Sequence, residues 1–426
     1  SGTRAETGRP MEIREDELRA LASDLVSFES YPGEEAAVQA WLWERLGALG
    51  FERYRWEPDP GVLRAHPSFP PVETLDLADR PSVAGALAFG DPDAGPTIVL
   101  NGHADVVPVE ASAWSTDPFD PAWRDGRLYG RGSADMKGGL AACVIAALAI
   151  ESVADDRGLN GRVVVESVAG EEEGGIGAAT AAAANPYPFE RDAAIVAEPT
   201  DFALVVAAEG SLMTRLEVTG KSAHAARAWE GESVLPHFEA IRRAFESLER
   251  ERAEQVTHPL FTAYDSPWPV TFGRVEAGEW ASSVPASLTA EIRIGVAPHE
   301  TVADVEAAYR RRLEAVCAER PWLADHPPTL ERFSVQFEGS EVDPDEPIVS
   351  CVEAAAVAHG TTDPSYEGFT GGTDARHYLD AGIPTVVFGP GSVDLAHAPN
   401  EHIEWDALRR GCQMLATATT TALEAY

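Results

Sequence analysis

The pattern of apolar and polar positions changes character along the chain. Residues 97–100 (TIVL), 163–168 (VVVESV), 193–197 (AAIVA) and 385–388 (TVVF) are short, nearly continuous apolar runs. Such runs predict strands buried on both faces. Residues 15–49 instead place apolar side chains at helical spacing and predict two helices, the second ending near Gly50. Residues 138–150 and 175–184 predict further helices between the strands. Alternating strands and helices imply an α/β unit with a mostly parallel sheet covered on both faces. Residues 57–82 are rich in proline and lack periodicity, which predicts a long ordered loop or flap.

A second pattern occupies residues 213–338. It reads as a strand at 212–218 with polar alternation, a helix at 233–248 and strands at 270–275 and 288–294. A helix at 302–316 and a strand at 330–337 follow. This β-α-β-β-α-β order is similar to a ferredoxin-like unit. The expected organisation is a discontinuous α/β domain of residues 1–212 and 339–426. A smaller α+β domain of residues 213–338 is inserted into it.

Composition agrees with two domains, because a chain of 426 residues exceeds what one core usually serves. With 44% hydrophobic residues it is not a disordered acidic chain. The 33 basic and 70 acidic residues give a formal charge of −37, which repels phosphate backbones and anionic membranes. Neither nucleic acid nor a membrane is therefore an expected partner. Lys137 and Lys221 are the only lysines. An acidic, lysine-poor surface points to a halophilic protein, with an arginine-biased genome as the alternative. Cys143, Cys317, Cys351 and Cys412 form no CxxC pair, so neither a zinc finger nor a disulfide framework is expected. The apolar run at 138–150 is too short to span a bilayer. No apolar leader is visible near the N-terminus, and a cytoplasmic location is expected.

The strand ends carry the chemistry. The runs lead into NGHAD (101–105), GEEEGG (170–175), Glu198-Pro199 and, after a short loop, HAPNE (397–401). Ligands of open α/β sheets bind beyond the carboxyl ends of the strands. Asp135 stands just before the apolar helix, in SADMKGG. Imidazole with carboxylate is a zinc ligand set. Two histidines and three carboxylates suit two ions about 3.5 Å apart that share a carboxylate.

Seven motifs stand in order: GHADVVP (102–108), YGRGSADMKGG (129–139), EEEGG (171–175), AEPT (197–200), GKSAHA (220–225), GGTDAR (371–376) and HAPNE (397–401). Together they resemble the dinuclear-zinc aminoacylase, acetylornithine deacetylase and succinyl-diaminopimelate desuccinylase family of metallopeptidases. The resemblance implies a zinc-peptidase-like catalytic domain and a lid that forms a homodimer. It implies that His103 and Glu198 bind one ion, Glu172 and His397 the other, and that Asp135 bridges both, across a cis Asp135–Met136 peptide. Glu171 is then the general base, and Asp105 orients the His103 imidazole. His224 reaches the oxyanion across the dimer. The ions are two divalent metals, zinc or else cobalt or manganese. Arg376, Arg293, Gly372 and Ser283 become substrate-binding candidates, the arginines for a carboxylate. Ser282 and Ser283 replace an asparagine frequent in relatives. Acetylornithine deacetylase-like hydrolysis of a small N-acyl amino acid is the leading reading. A desuccinylase, dipeptidase or N-formyl-aminopyrimidine deformylase on the same site, or a catalytically silent metal-binding protein, is the alternative. His377 and His402 are expected to pack locally.

Overall fold

A computed structural model describes residues 10–426. The larger unit is built on a nine-stranded sheet. Its four central strands run in the order Gly161–Val168, Thr97–His103, Ala193–Val196 and Thr385–Val387, all parallel. These are the strands that the apolar runs predict, and each is almost wholly buried. The flanking strands make the sheet mixed. Ser82–Phe89 and Glu52–Trp56 add antiparallel on one side, Leu204–Ala208 and Ser340–Glu341 on the other. Tyr366–Phe369 pairs in parallel with Leu204–Ala208.

The helix Gly138–Arg157 packs across this sheet, its residues from Gly138 to Ile150 entirely buried. By length and apolarity Ser133–Arg157 could cross a membrane, but 83% of its apolar window is buried inside the protein. Its first turn comes very close to the strand end at Ala197. A Cβ on Gly139 would lie 2.1 Å from the Ala197 carbonyl oxygen, so only glycine permits this approach. The contact sets Asp135, just before the helix, beside Glu198, just after the strand. The helices Glu15–Val26 and Ala36–Ala48 fall where helical spacing predicts them.

The proline-rich stretch is more ordered than its sequence suggests. Asp59 caps a six-residue helix, Pro60–Ala65, by accepting from the backbone N–H of Gly61 at 2.7 Å and Val62 at 3.2 Å. A helix this short falls below any periodic signal. Val72 anchors the remainder against Leu63, Ile176 and Ala179.

A separate four-stranded antiparallel sheet has the order Val270–Ala277, Ser287–Val296, Gly210–Thr219, Thr329–Arg332. Helices Val234–Gln255 and Val302–Ala318 bury its apolar face around Phe245, Tyr309 and Ile292. The last strand stops at Arg332, short of the expected 337. Phe337 instead bridges to Ser211. The chain passes from the larger sheet to the smaller through a single residue, Glu209, and returns between Arg332 and Ser340.

Candidate metal centre

The strand Thr97–His103 ends with His103 buried to 1% exposure at the carboxyl edge of the central sheet. Its Nδ1 lies 2.8 Å from the backbone oxygen of Asp105. A carbonyl can only accept, so Nδ1 carries a proton and Nε2 is the ring nitrogen turned to the carboxylates. That Nε2 faces Asp135 Oδ1 at 3.1 Å and Glu198 Oε1 at 3.6 Å. The expected role of Asp105 is thus divided between two groups. Its backbone orients the imidazole, while its carboxylate stands 3.6 Å from Nδ1. The carboxylate accepts from the backbone N–H of Glu171 at 3.1 Å and of Glu172 at 3.0 Å. Asp105 therefore positions the acidic loop as well as the histidine.

On the other side, His397 Nε2 lies 3.0 Å from Glu172 Oε1 and 3.3 Å from Asp135 Oδ2. The two oxygens of Asp135 thus face the two imidazoles. His103, Asp135 and Glu198 form one cluster whose possible ligand atoms lie within 4.8 Å of one another; Asp135, Glu172 and His397 form a second, and His103, Glu171 and Glu172 a third. The Asp135–Met136 peptide is cis. Glu171 joins Asp135, Glu172, Glu198 and His397 in lining a cavity of about 320 Å³. Gly372 lines the same cavity.

The electrostatics fit a cationic occupant. Burial raises Glu198 well above the usual carboxylate range, and Asp135, Glu171 and Glu172 raise it further against the pull of His103. Burial likewise raises Glu171 well above that range, with His103 opposing and Asp374, Glu172 and Asp135 adding to it. Burial opposes the charging of His103, but Glu198, Asp105 and Asp135 outweigh it. So many buried carboxylates around two imidazoles leave a deficit of positive charge, which divalent cations would remove.

Behind the cluster lies a support that sequence reasoning missed. Glu401 is fully buried, and its Oε1 accepts from the backbone N–H of Ala134 at 3.0 Å and Asp135 at 2.9 Å. Its Oε2 accepts from the Gly132 N–H at 3.0 Å and from Arg131 Nη1 at 2.8 Å. Arg80 is a second such residue: it joins the flap to the acidic loop by pairing with Glu35 at 2.5 Å and Glu173 at 2.7 Å. Asp374 is a third. It is buried behind Gly175, whose Cβ would meet Asp374 Oδ1 at 2.2 Å, and neither of its oxygens finds a hydrogen-bond partner. Burial pushes its carboxyl up to about 7, against the pull of Arg376.

The remaining predicted residues lie apart from the cluster. Arg376 does not line the cavity. It is buried, donates to the backbone oxygens of Thr373 at 3.0 Å and Gly174 at 2.7 Å, and lies over the Phe337 ring at 4.0 Å. Arg293 pairs with Glu209 at 3.0 Å. His224 is exposed on the smaller unit, bridges to Ser283 and accepts from the Ala226 N–H through Nδ1. Neither it nor Ser283 lines the cavity. His377 packs locally as expected, donating from Nε2 to the Gly174 oxygen at 3.0 Å. Lys137 is buried and donates to the Phe28 oxygen at 2.8 Å, whereas Lys221 is exposed.

The model of peptidase family M20/M25/M40 matches residues 99–421, which include every residue of these clusters. An N-formyl-4-amino-5-aminomethyl-2-methylpyrimidine deformylase from Bacillus subtilis is 27% identical, with 94% of this chain and 93% of that protein covered. A succinyl-diaminopimelate desuccinylase from Methylobacterium nodulans is 32% identical over 87% of each chain. Among solved structures, a metallo-carboxypeptidase of this family from Sulfolobus solfataricus superposes with a TM-score of 0.72. It is 17% identical, with 96% of this chain and 99% of that one covered.

Proposed function

The chain belongs to peptidase family M20/M25/M40, and from that premise we propose that it hydrolyses the amide bond of a small N-acylated amine or amino acid with two divalent ions. The observation that carries this reading is the carboxylate of Asp135 set between His103 and His397, with Glu171 lining the same cavity. His103, Asp135 and Glu198 would hold one ion, and Asp135, Glu172 and His397 the other. Divalent ions bound there would lower the pKa of water and polarise the substrate carbonyl.

The proton work belongs to the protein. Glu171 accepts a proton from the attacking water and returns it to the departing amine. Burial raises its proton affinity above that of a solvated carboxylate, the direction that base work needs. His224 would supply an oxyanion donor from a second copy of the chain. Its exposure, and that of Trp229 at 78% and Trp280 at 74%, favour a covered face there. A purely monomeric mass by light scattering would remove this role.

Chelation should abolish hydrolysis, and zinc or cobalt should restore it. Full activity in a verified metal-free protein would end the two-ion reading. Two relatives name different acyl groups, formyl and succinyl. The deformylase matches the larger share of this chain, 94% against 87%, and the desuccinylase the higher identity, 32% against 27%. An acetylornithine deacetylase-like activity is the third member of this set. A panel of N-formyl, N-acetyl and N-succinyl substrates separates them.

A further inference from the structure

A second cavity, of about 560 Å³, adjoins the metal centre and shares Glu172 with it. The flap supplies one wall, including Pro70, Leu75 and Leu77; Ile176 supplies another; the smaller unit closes it with Met213 and Phe337. Pro70, Leu75, Leu77, Ile176, Met213 and Phe337 give it an apolar side, which faces polar and charged groups across the cavity. Its charges come from Asp76, Arg80, Glu172, Glu173 and Arg293.

Each guanidinium here is already engaged. Arg80 is 2% exposed and is paired with Glu35 and Glu173. Arg293 gives Nη1 to Glu209 at 3.0 Å and Nη2 to the Thr370 oxygen at 3.3 Å. Arg376, outside both cavities, gives both Nη groups to backbone oxygens. A substrate carboxylate needs a free guanidinium fork, and a carboxylate supplied by the protein competes for it directly. Glu209 is that competitor: it is 1% exposed, its backbone N–H is fixed to the Phe369 oxygen at 2.8 Å, and it stands where the chain first passes from the larger sheet to the smaller. Once Arg80 and Arg293 are matched, the charge left facing the cavity from Asp76 and Glu173 is negative.

Resting on the amide-hydrolase reading, we propose that Glu209 occupies Arg293 and makes the site select N-acylamines without a carboxylate on the leaving amine. The body of that amine is apolar or aromatic. Burial pushes the Glu209 carboxyl up to about 7, against the pull of Arg293 and Arg252, so the test belongs at pH 8, where it is charged.

The test uses the metal-loaded full chain and matched pairs: N-formyl-phenethylamine against N-formyl-phenylalanine, and their N-acetyl counterparts. The carboxylate-free member should have at least tenfold higher kcat/KM, mainly through KM. Glu209→Gln keeps a hydrogen-bond acceptor for Arg293 but removes the charge, and it should reduce that preference at least tenfold. Equal or better turnover of the phenylalanine amide by the natural chain overturns the proposal, as does an unchanged preference in the variant. Calorimetry with the two product amines gives a second readout that needs no turnover. Tighter binding of phenylalanine than of phenethylamine refutes the selection rule. Failure to cleave any panel member with both metals bound refutes the amide-hydrolase reading instead.

Discussion

At the scale of single residues, the site depends on carboxylates that do different work despite identical chemistry. Glu171 and Glu172 are neighbours in a run of three, and both backbone N–H groups are held by Asp105. Only Glu172 meets an imidazole within hydrogen-bond distance. Glu171→Gln should therefore retain both metals by elemental analysis while turnover falls by about 10²-fold or more. Loss of metal instead would exchange the two roles. The sequence shows three glutamates in a chain already full of them, and the preceding apolar strand with the following Gly-Gly are the local signs that they turn into a site. The sequence could not show that Asp105 reaches two of them, because that bond joins loops 66 and 67 residues apart.

At the scale of elements, the buried parallel strands were legible because burial on both faces writes continuous apolar runs. Several flanking strands were not. Glu52–Trp56 alternates charge with aromatic residues, and Ser340–Glu341 has two residues. Their pairing is decided by the sheet edge they join and not by local preference. The same limit hides Glu401. It follows the His397 loop as one acidic residue among many, yet it ties the backbone before the helix Gly138–Arg157 to a loop 266 residues away. Removing its carboxylate leaves three backbone N–H donors without their acceptor and leaves Arg131 only the backbone oxygens of His397 and Ala398. Glu401→Ala should cost about 3 kcal/mol of stability in denaturant unfolding, with weakened metal binding. A loss below about 0.5 kcal/mol would show that the loop holds its shape without that carboxylate.

At the scale of the whole molecule, the charge of −37 divides into a few carboxylates turned into the site and a large remainder facing solvent. Many of the arginines answer that remainder in surface pairs, such as Arg243 with Glu239 and Arg274 with Glu276. Exposed pairs of this kind contribute little each. Net self-repulsion of the uncompensated acidic residues should therefore be relieved by salt, whose screening length is about 3 Å at 1 M. The unfolding midpoint is expected to rise between 10 mM and 1 M salt. An unchanged midpoint would leave the lysine-poor surface to genome composition alone.

The shared position of Asp135 has a thermodynamic consequence of its own. One carboxylate serves both imidazole clusters, and Glu401 fixes its backbone from behind. Two cation sites that hold a ligand in common cannot fill as independent events. On the two-ion reading proposed above, the first ion to arrive would orient Asp135 and neutralise part of the local charge, so the second would meet a different host. A calorimetric metal titration should accordingly show two unequal steps, and the half-filled protein between them is a distinct species with its own affinity and its own stability.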